Sequence, residues 1–381
     1  MKIGLVCPYN VALGGGVQEL IRAMQHHLSL RGHDVKIIAA QPRELNGIDT
    51  SNILFLGRGI DIQWPNHTVA PLSSGLSMEA IEQTMEAEKF DILHFHEPWV
   101  PALSRQILSC SQSVNIATFH AKVPETIMNR TLARVITPYM RSVLRDLHEL
   151  TAVSRPASEY VSSLTDRPIT FIPNGIDLKR FSFKRRQKAA SPKTILYVGR
   201  LEPRKGVKYL LRAYRLLAMS QPDVRLLVVG DGPDRPKLEA YVHDLHIPNV
   251  SFLGYVNEEE KVQLLSEADI FCSPALFGES FGIVLLEAMA SGAVITAGDN
   301  SGYASVMKEL GALSLVNPKD APEFARRLRL LLTEPKLRGL WLDWAEGYVQ
   351  QFSYEKVVDQ YEVLYKTALR KHAALAATAA N

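Results

Sequence analysis

FGESFGIVLLEAMASG, residues Phe277–Gly292, places two carboxylates, Glu279 and Glu287, on either side of an expected helix start. Gly282, Ile283 and Val284 are read as the first helical residues. Their backbone N–H groups have no partner inside the helix and point outward with the positive end of its dipole, where a phosphate binds. Glu287 lies four residues after Ile283 and three after Val284, so it shares their helix face. Glu279 stands in the loop before. One acid beyond a phosphate and one beside it suits a ligand with hydroxyls at both ends, such as a nucleotide-sugar. A buried helix whose acids cap its own N-terminus is the alternative that the segment alone leaves open.

Outward from this segment, strand-like apolar runs alternate with helix-period stretches along the whole chain. That pattern predicts an α/β fold of doubly wound parallel sheets. KIGLVCPY leads through Gly14, Gly15 and Gly16 into a helix whose apolar positions Val17, Leu20, Ile21, Met24 and Leu28 keep helical spacing, with Gly32 as a stop. VKIIAA, DILHF, NIATF, LTAVS and ITFIP read as further strands. A second series opens at Thr194 with TILYVG and continues through LLVVG, VSFLG, IFCSPA, AVITA and LSLV. Two Rossmann-like domains are therefore expected, 1–172 and 173–353, joined within Ile172–Ser191 around the turn residues Pro173, Asn174 and Gly175. A last helix, 354–370, could pack against either domain, and the Ala-rich tail after Lys371 frays.

With 381 residues, 46% of them apolar and 22% charged, the chain has a globular composition and enough length for two cores. A net charge of +3 is too small to argue for nucleic acid. The three cysteines, Cys7, Cys110 and Cys272, are isolated, which excludes a disulfide framework and a cysteine zinc site and fits a reducing compartment. No signal-peptide pattern opens the sequence, and no uncharged apolar stretch approaches the ~20 residues that span a bilayer. A cytoplasmic protein is expected.

Parallel α/β sheets bind ligands at the carboxyl ends of their strands. Gly14–Gly16 follow the first strand and precede a helix whose N-terminal amides are open to a phosphate, although G-x-G-x-x-G is absent. His120 ends NIATF and is placed to hydrogen-bond a hydroxyl or carry a proton. His94 and His96 are expected on opposite faces of their strand, unable to chelate one metal together, and no metal site is assigned. In GRLEPRKG, Arg200 and Lys205 follow a strand and suit a pyrophosphate, whose departure needs charge neutralisation. Arg130, Arg134, Arg141 and Arg145 have spacings of four, seven and four, one helix face, with Pro138 expected to interrupt the helix. That stripe, or the cation-rich run Lys179–Lys193, could touch an anionic membrane, although a solvated face is the commoner explanation.

GGGVQ, ATFH, IPNGID, VGRLEPRKG and FGESFGIVLLEAMASG, in this order and spacing, resemble glycosyltransferase family 4, retaining enzymes of the GT-B fold. The similarity covers nearly the whole chain. It implies two Rossmann-like domains facing a cleft that closes by rotation, with the acceptor on the first, the nucleotide-sugar donor on the second and the last helix, 354–370, packing back on the first. It implies that Gly15 and Gly16 approach the donor diphosphate, that Arg200 and Lys205 neutralise it as it leaves, and that Glu279 holds hydroxyls of the donor sugar. The amides of Phe281, Gly282 and Ile283 would lie nearby, Glu287 would bind the ribose, and Tyr255, Val256 and Lys261 would face the base. His120 would contact the sugar near the reacting centre, and Tyr9, Gln18, Asn66 and Lys122 match acceptor-lining positions. The resemblance implies transfer of a hexose, mannose favoured, from GDP-mannose or a UDP-sugar to a hydroxyl acceptor, either an inositol phospholipid, another lipid or a small polyol. It implies no cofactor beyond that co-substrate, no metal for binding, and peripheral contact at the inner face of the plasma membrane. A UDP-sugar enzyme with a soluble acceptor and a non-catalytic nucleotide-sugar-binding protein are the alternatives. Two departures touch the acceptor side. Where the lipid-directed members have a basic docking helix, this chain reads LSMEAIEQTMEAEKF, and Ala121 replaces a hydroxyl residue beside His120.

Overall fold

The apolar runs pair in parallel, and the order of pairing decides which loops come together. The computed structural model describes residues 1–45, 47–63, 69–74, 77–122, 130–181, 183 and 192–379. The chain divides into two units, Met1–Gly175 with Tyr354–Asn381, and Ile176–Ser353.

In the first unit β1 (Lys2–Val6), β2 (Asp34–Gln41), β3 (Ile53–Gln63), β4 (Val69–Ser74), β5 (Ile92–His96), β6 (Val114–Phe119), β7 (Glu149–Ala152) and β8 (Ile169–Phe171) form one sheet. Among the described residues it has eight strands in the order β4-β3-β2-β1-β5-β6-β7-β8. All neighbours are parallel except β3 and β4, which pair antiparallel as Ile60 opposite Leu72. These two strands escape a reading by apolar runs because Gly57, Arg58, Gly59 and Asp61 interrupt the pattern.

The helix Gly16–Leu30 buries Leu20, Ile21, Met24 and Leu28, the face set by their spacing, and Gly32 ends it at φ 82°. They pack with Ile3, Leu5 and Ile37, and the same core takes Val357, Val358, Tyr361, Tyr365 and Ala368 from the last helix, Tyr354–Ala379. Val357 and Val358 each contribute about 1.5–3 kcal/mol on burial, so this helix belongs to the core of the N-terminal unit. It is fastened at the rim by Arg31, whose guanidinium reaches Glu362 at 2.8 Å and Asp359 at 2.7 Å. The tail expected to fray is helical to Ala379, as its run of alanines, the best helix formers, favours. Pro138 does not interrupt its helix either, which runs Arg130–Arg145 through it. The side chains of Arg130 and Arg134 lie outside the described residues, as does Asn66.

The second unit contains β9 (Lys193–Val198), β10 (Val224–Val229), β11 (Val250–Gly254), β12 (Ile270–Ser273), β13 (Val294–Gly298) and β14 (Leu315–Val316). They form a six-stranded sheet, parallel throughout, in the order β11-β10-β9-β12-β13-β14.

One expectation about β5 is overturned. His94 and His96 lie on the same face, with ring centroids 4.3 Å apart, because side chains two residues apart on a strand point the same way. His94 is fully buried, and burial depresses its pKa to about 3, so it is neutral. Its tautomer follows from its neighbours. Thr151 donates its hydroxyl to the Ala117 carbonyl, so Thr118 must donate to Thr151 at 2.5 Å. His94 therefore donates from Nε2 to Thr118 at 2.7 Å and accepts at Nδ1 from the Tyr365 hydroxyl at 2.6 Å. Tyr365→Phe leaves that lone pair buried without a donor and is expected to cost about 1–3 kcal/mol. Chemical denaturation of the variant measures it, and an unchanged midpoint would refute the bonding scheme.

Candidate active site

In the second sheet the order of strands turns between β9 and β12, with β10 and β11 on one side and β13 and β14 on the other. Loops at the carboxyl ends of such a pair diverge and leave a crevice. The loop after β9 contains Arg200, Glu202, Arg204 and Lys205, and the loop after β12 contains Glu279. Gly206 lets them meet: its φ is 72°, and a Cβ there would sit 2.1 Å from the Pro274 carbonyl oxygen. The Leu276 N–H also donates to the Arg204 carbonyl at 2.8 Å.

The crossing gathers three cations around two acids. Glu279 Oε1 lies 2.8 Å from both Lys205 Nζ and Arg204 Nη1. Arg204 Nε turns to Glu202 Oε2 at 3.1 Å, and Arg200 Nε reaches Glu202 Oε1 at 2.8 Å. The Glu202 side chain is only 5% exposed, and a carboxylate so deep is costly unless paired in this way. Lys205 and Glu279, singled out separately in the sequence, are thus one ion pair. Glu202 and Arg204 were missed, although they sit inside GRLEPRKG and their alternation with Arg200 and Pro203 was the available signal.

The helix start differs in one detail from its expectation. Gly282 is the residue before the helix, at φ 107°, and the helix runs Ile283–Ala290. A Cβ on Gly282 would lie 2.7 Å from the Tyr303 ring, so a side chain there is excluded twice over. Phe281 is buried and meets Phe352 edge-on at 6.2 Å. Glu287 is buried on the helix and bonds Lys261 at 3.1 Å, while Lys261 also reaches Glu258 at 2.9 Å. Burial works against the charge of Lys261, yet the two carboxylates more than offset it and raise its pKa. Tyr255 and Val256 follow β11, and Tyr255 is exposed. The unit therefore presents a helix N-terminus flanked by the Arg204–Lys205–Glu279 cluster and, one turn along, by Lys261–Glu287.

In the N-terminal unit the order turns between β1 and β5. Gly15 precedes the helix after β1 in an extended conformation, with Gln18 folded over it: a Cβ on Gly15 would lie 2.5 Å from Gln18 Oε1. Gln18 Nε2 also bonds the Asn10 carbonyl at 3.4 Å. Lys122 pairs with Glu159 at 3.0 Å. His120, just past β6, is buried, and its Nε2 lies 2.9 Å from His96 Nδ1. Burial lowers the His120 pKa to about 3, Asn174 acting the other way. Glu97, at φ 48° beside His96, accepts from the backbone N–H of both His120 and Ala121 with a single oxygen, Oε1. Desolvation, then the charge of Glu97, keeps the Tyr9 phenol protonated. Sequence reasoning weighed His96 and Glu97 only as metal ligands and gave them no other role. Among the described residues no three His, Cys, Asp or Glu side chains converge on a metal position, and no described helix is long and apolar enough to cross a membrane.

Two α/β units of this kind are the architecture of the GT-B glycosyltransferases. The chain belongs to that family: residues 14–180 match Glycosyltransferase Family 4 and residues 179–341 match Glycosyl transferases group 1. It is similar to a phosphatidyl-myo-inositol mannosyltransferase of Mycolicibacterium smegmatis, 32% identical over 378 residues that cover 96% of this chain and 94% of the relative. Among solved structures, sucrose-phosphate synthase from Thermosynechococcus elongatus superposes with a TM-score of 0.76 at 21% identity, covering 97% of this chain and 99% of its own. Anabaena HepE in complex with UDP-glucose gives 0.73 at 19% identity, covering 96% and 100%. The protein is a glycosyltransferase enzyme of two parallel-sheet domains.

Glu97 supplies a test of the buried polar cluster. Desolvation raises its pKa from 4.5 to about 7, against the two N–H bonds that favour its anion. Below about 4.5 the carboxyl is protonated folded and unfolded. Between that value and about 7 only the unfolded chain ionises, so stability falls as pH rises and levels off once the folded form ionises. The Glu97→Gln variant lacks this loss. Its stability relative to the parent should rise by roughly 3 kcal/mol between pH 4.5 and 8 in urea titrations. A pH-independent difference would refute the assignment.

Proposed function

We propose that the protein transfers a hexose, mannose in preference, from a nucleotide-diphosphate sugar to a hydroxyl acceptor with retention of configuration. The observation that carries this reading is Glu279 Oε1 shared by Arg204 and Lys205 beside the helix start at Ile283. The mannosyltransferase relative supports the sugar, and GDP-mannose is the donor proposed.

The C-terminal unit holds the donor in this proposal. Diphosphate oxygens take the amides of Phe281, Gly282 and Ile283 and the charges of Arg200 and Lys205. Glu279 has one oxygen committed to two cations, which orients the carboxylate, and the other is directed to sugar hydroxyls. Glu287, steadied by Lys261, takes the ribose, and Tyr255 and Val256 flank the base. The acceptor oxygen bonds to the anomeric carbon as the bond from that carbon to the diphosphate oxygen breaks. The acceptor proton passes to the leaving diphosphate on the same face, and no carboxylate nucleophile is required. Cations at fixed positions stabilise the charge that develops on the leaving group, and preorganised electrostatics of this kind usually dominates the lowering of the barrier. The acceptor is held by the N-terminal unit through Tyr9, Gln18, Asn66 and Lys122.

The acceptor has a second reading with its own observation. The helix Met78–Glu88 exposes Glu79, Glu82 and Glu86, and an anionic leaflet repels such a face. This favours a soluble polyol over an inositol phospholipid.

Lys205→Ala should lower kcat ~100-fold or more while leaving the folded state intact; near-normal turnover would remove Lys205 from the mechanism. Thermal unfolding with GDP-, UDP- and ADP-sugars identifies the donor, since a ligand of the folded state raises Tm by mass action. No shift with any of them would overturn the reading. Offered GDP-mannose together with phosphatidylinositol vesicles and free polyols, the enzyme should glycosylate one class; product anomers read by NMR decide retention.

A further inference from the structure

Among the described residues, three polar atoms at the carboxyl ends of β5, β6 and β8 are buried without a partner in hydrogen-bond geometry: His96 Nε2, His120 Nδ1 and Asn174 Oδ1. His96, His120 and Asn174 are 0%, 7% and 6% exposed. Natural interiors rarely leave such groups unpaired unless water or a ligand completes them. His94, on the same face, shows the contrast, for both of its nitrogens are taken.

His96 and His120 share one hydrogen bond, Nδ1 to Nε2 at 2.9 Å, with the rings at 23° and their centroids 5.2 Å apart. Both are neutral: burial first, and then the neighbouring histidines, hold His96 well below its ordinary value, and His120 lies at about 3. A neutral imidazole carries one proton. The shared bond therefore gives the two outer nitrogens opposite character, one donor and one acceptor. Asn174 decides which is which. It stands close enough to His120 to favour a proton there but outside ordinary hydrogen-bond geometry, and its oxygen can only accept, so the proton is placed on His120 Nδ1. His96 must then donate from Nδ1 to His120 Nε2, leaving its own Nε2 as a lone pair.

We propose that His96 is a positioning residue that fixes His120 in the Nδ1–H tautomer, so that with Asn174 the pair forms a hydroxyl-binding subsite. A sugar or polyol hydroxyl fits, because it accepts from His120 Nδ1–H and donates to Asn174 Oδ1. This rests on the reading of His120 as a contact of the transferred sugar. It adds His96 and Asn174 to the site and assigns the direction of each bond.

Nitrogen-15 NMR of the histidine rings at neutral pH tests the tautomers without any variant. The expected result is a protonated Nδ1 and a bare Nε2 on both His96 and His120; a proton on His120 Nε2 overturns the proposal. For function, His96→Asn keeps a donor amide where Nδ1 stands, while His96→Leu does not. His96→Leu should lower kcat by about tenfold or more with a smaller change in the donor KM, and His96→Asn should recover most of it. Combined with His120→Ala, His96→Leu should add nothing further, as coupled residues do. Equal activities of the Asn and Leu variants, or additive losses with His120→Ala, would also overturn it. If His120→Ala alone is fully active, the sugar-contact reading fails while the NMR result still judges the tautomers.

Discussion

β9 and β12 lie side by side although β10 and β11 intervene in the chain, and everything at the donor end depends on that parallel pairing. It sends the chain away from the sheet in opposite directions after each strand, which opens a crevice that no side chain need carve. Into it the Gly206 approach brings Arg204 and Lys205 against Glu279. A close backbone contact with Pro274 leaves no room for a Cβ, so glycine is required by packing and not by the ligand.

Charge compensation organises the cluster. Glu202 is buried between Arg200 and Arg204, and Arg204 in turn spans Glu202 and Glu279. Removing one member strands another in a poorly solvated place, so the cluster acts as a unit. Lys261, pinned between Glu258 and Glu287, repeats the device one helix turn away. Both arrangements hold a carboxylate at a defined angle beside a helix N-terminus, an arrangement that suits a ligand carrying phosphate and hydroxyls together.

The N-terminal unit solves a different problem. Its β5–β6 edge is lined by neutral, buried polar groups, and there the direction of each proton carries the information. One chain of bonds, from Tyr365 through His94, Thr118 and Thr151 to the Ala117 carbonyl, closes completely and locks the last helix to the sheet. Among the described residues, the neighbouring chain through His96 and His120 stays open at both ends. The same strand thus supplies a structural histidine and, two residues on, one with binding capacity to spare.

Much of this was legible in the residues themselves. Apolar runs of strand length alternating with helical spacing specify parallel α/β sheets because each element must bury a face, and Leu20, Ile21, Met24 and Leu28 fall inward as their spacing demands. Motif order carried the family. β3 and β4 escaped because glycines and charges hide a strand whose partner lies across a turn, and the path of the helix through Pro138 shows packing overriding a local breaker. The same-face placement of His94 and His96 was implicit in the two-residue period of a strand, but their different fates were not. Which acid meets which cation, why Glu202 is buried, and which histidine nitrogens are left open depend on residues far apart in the chain. Those distances are set when strands pair and loops cross, so only the tertiary structure decided them.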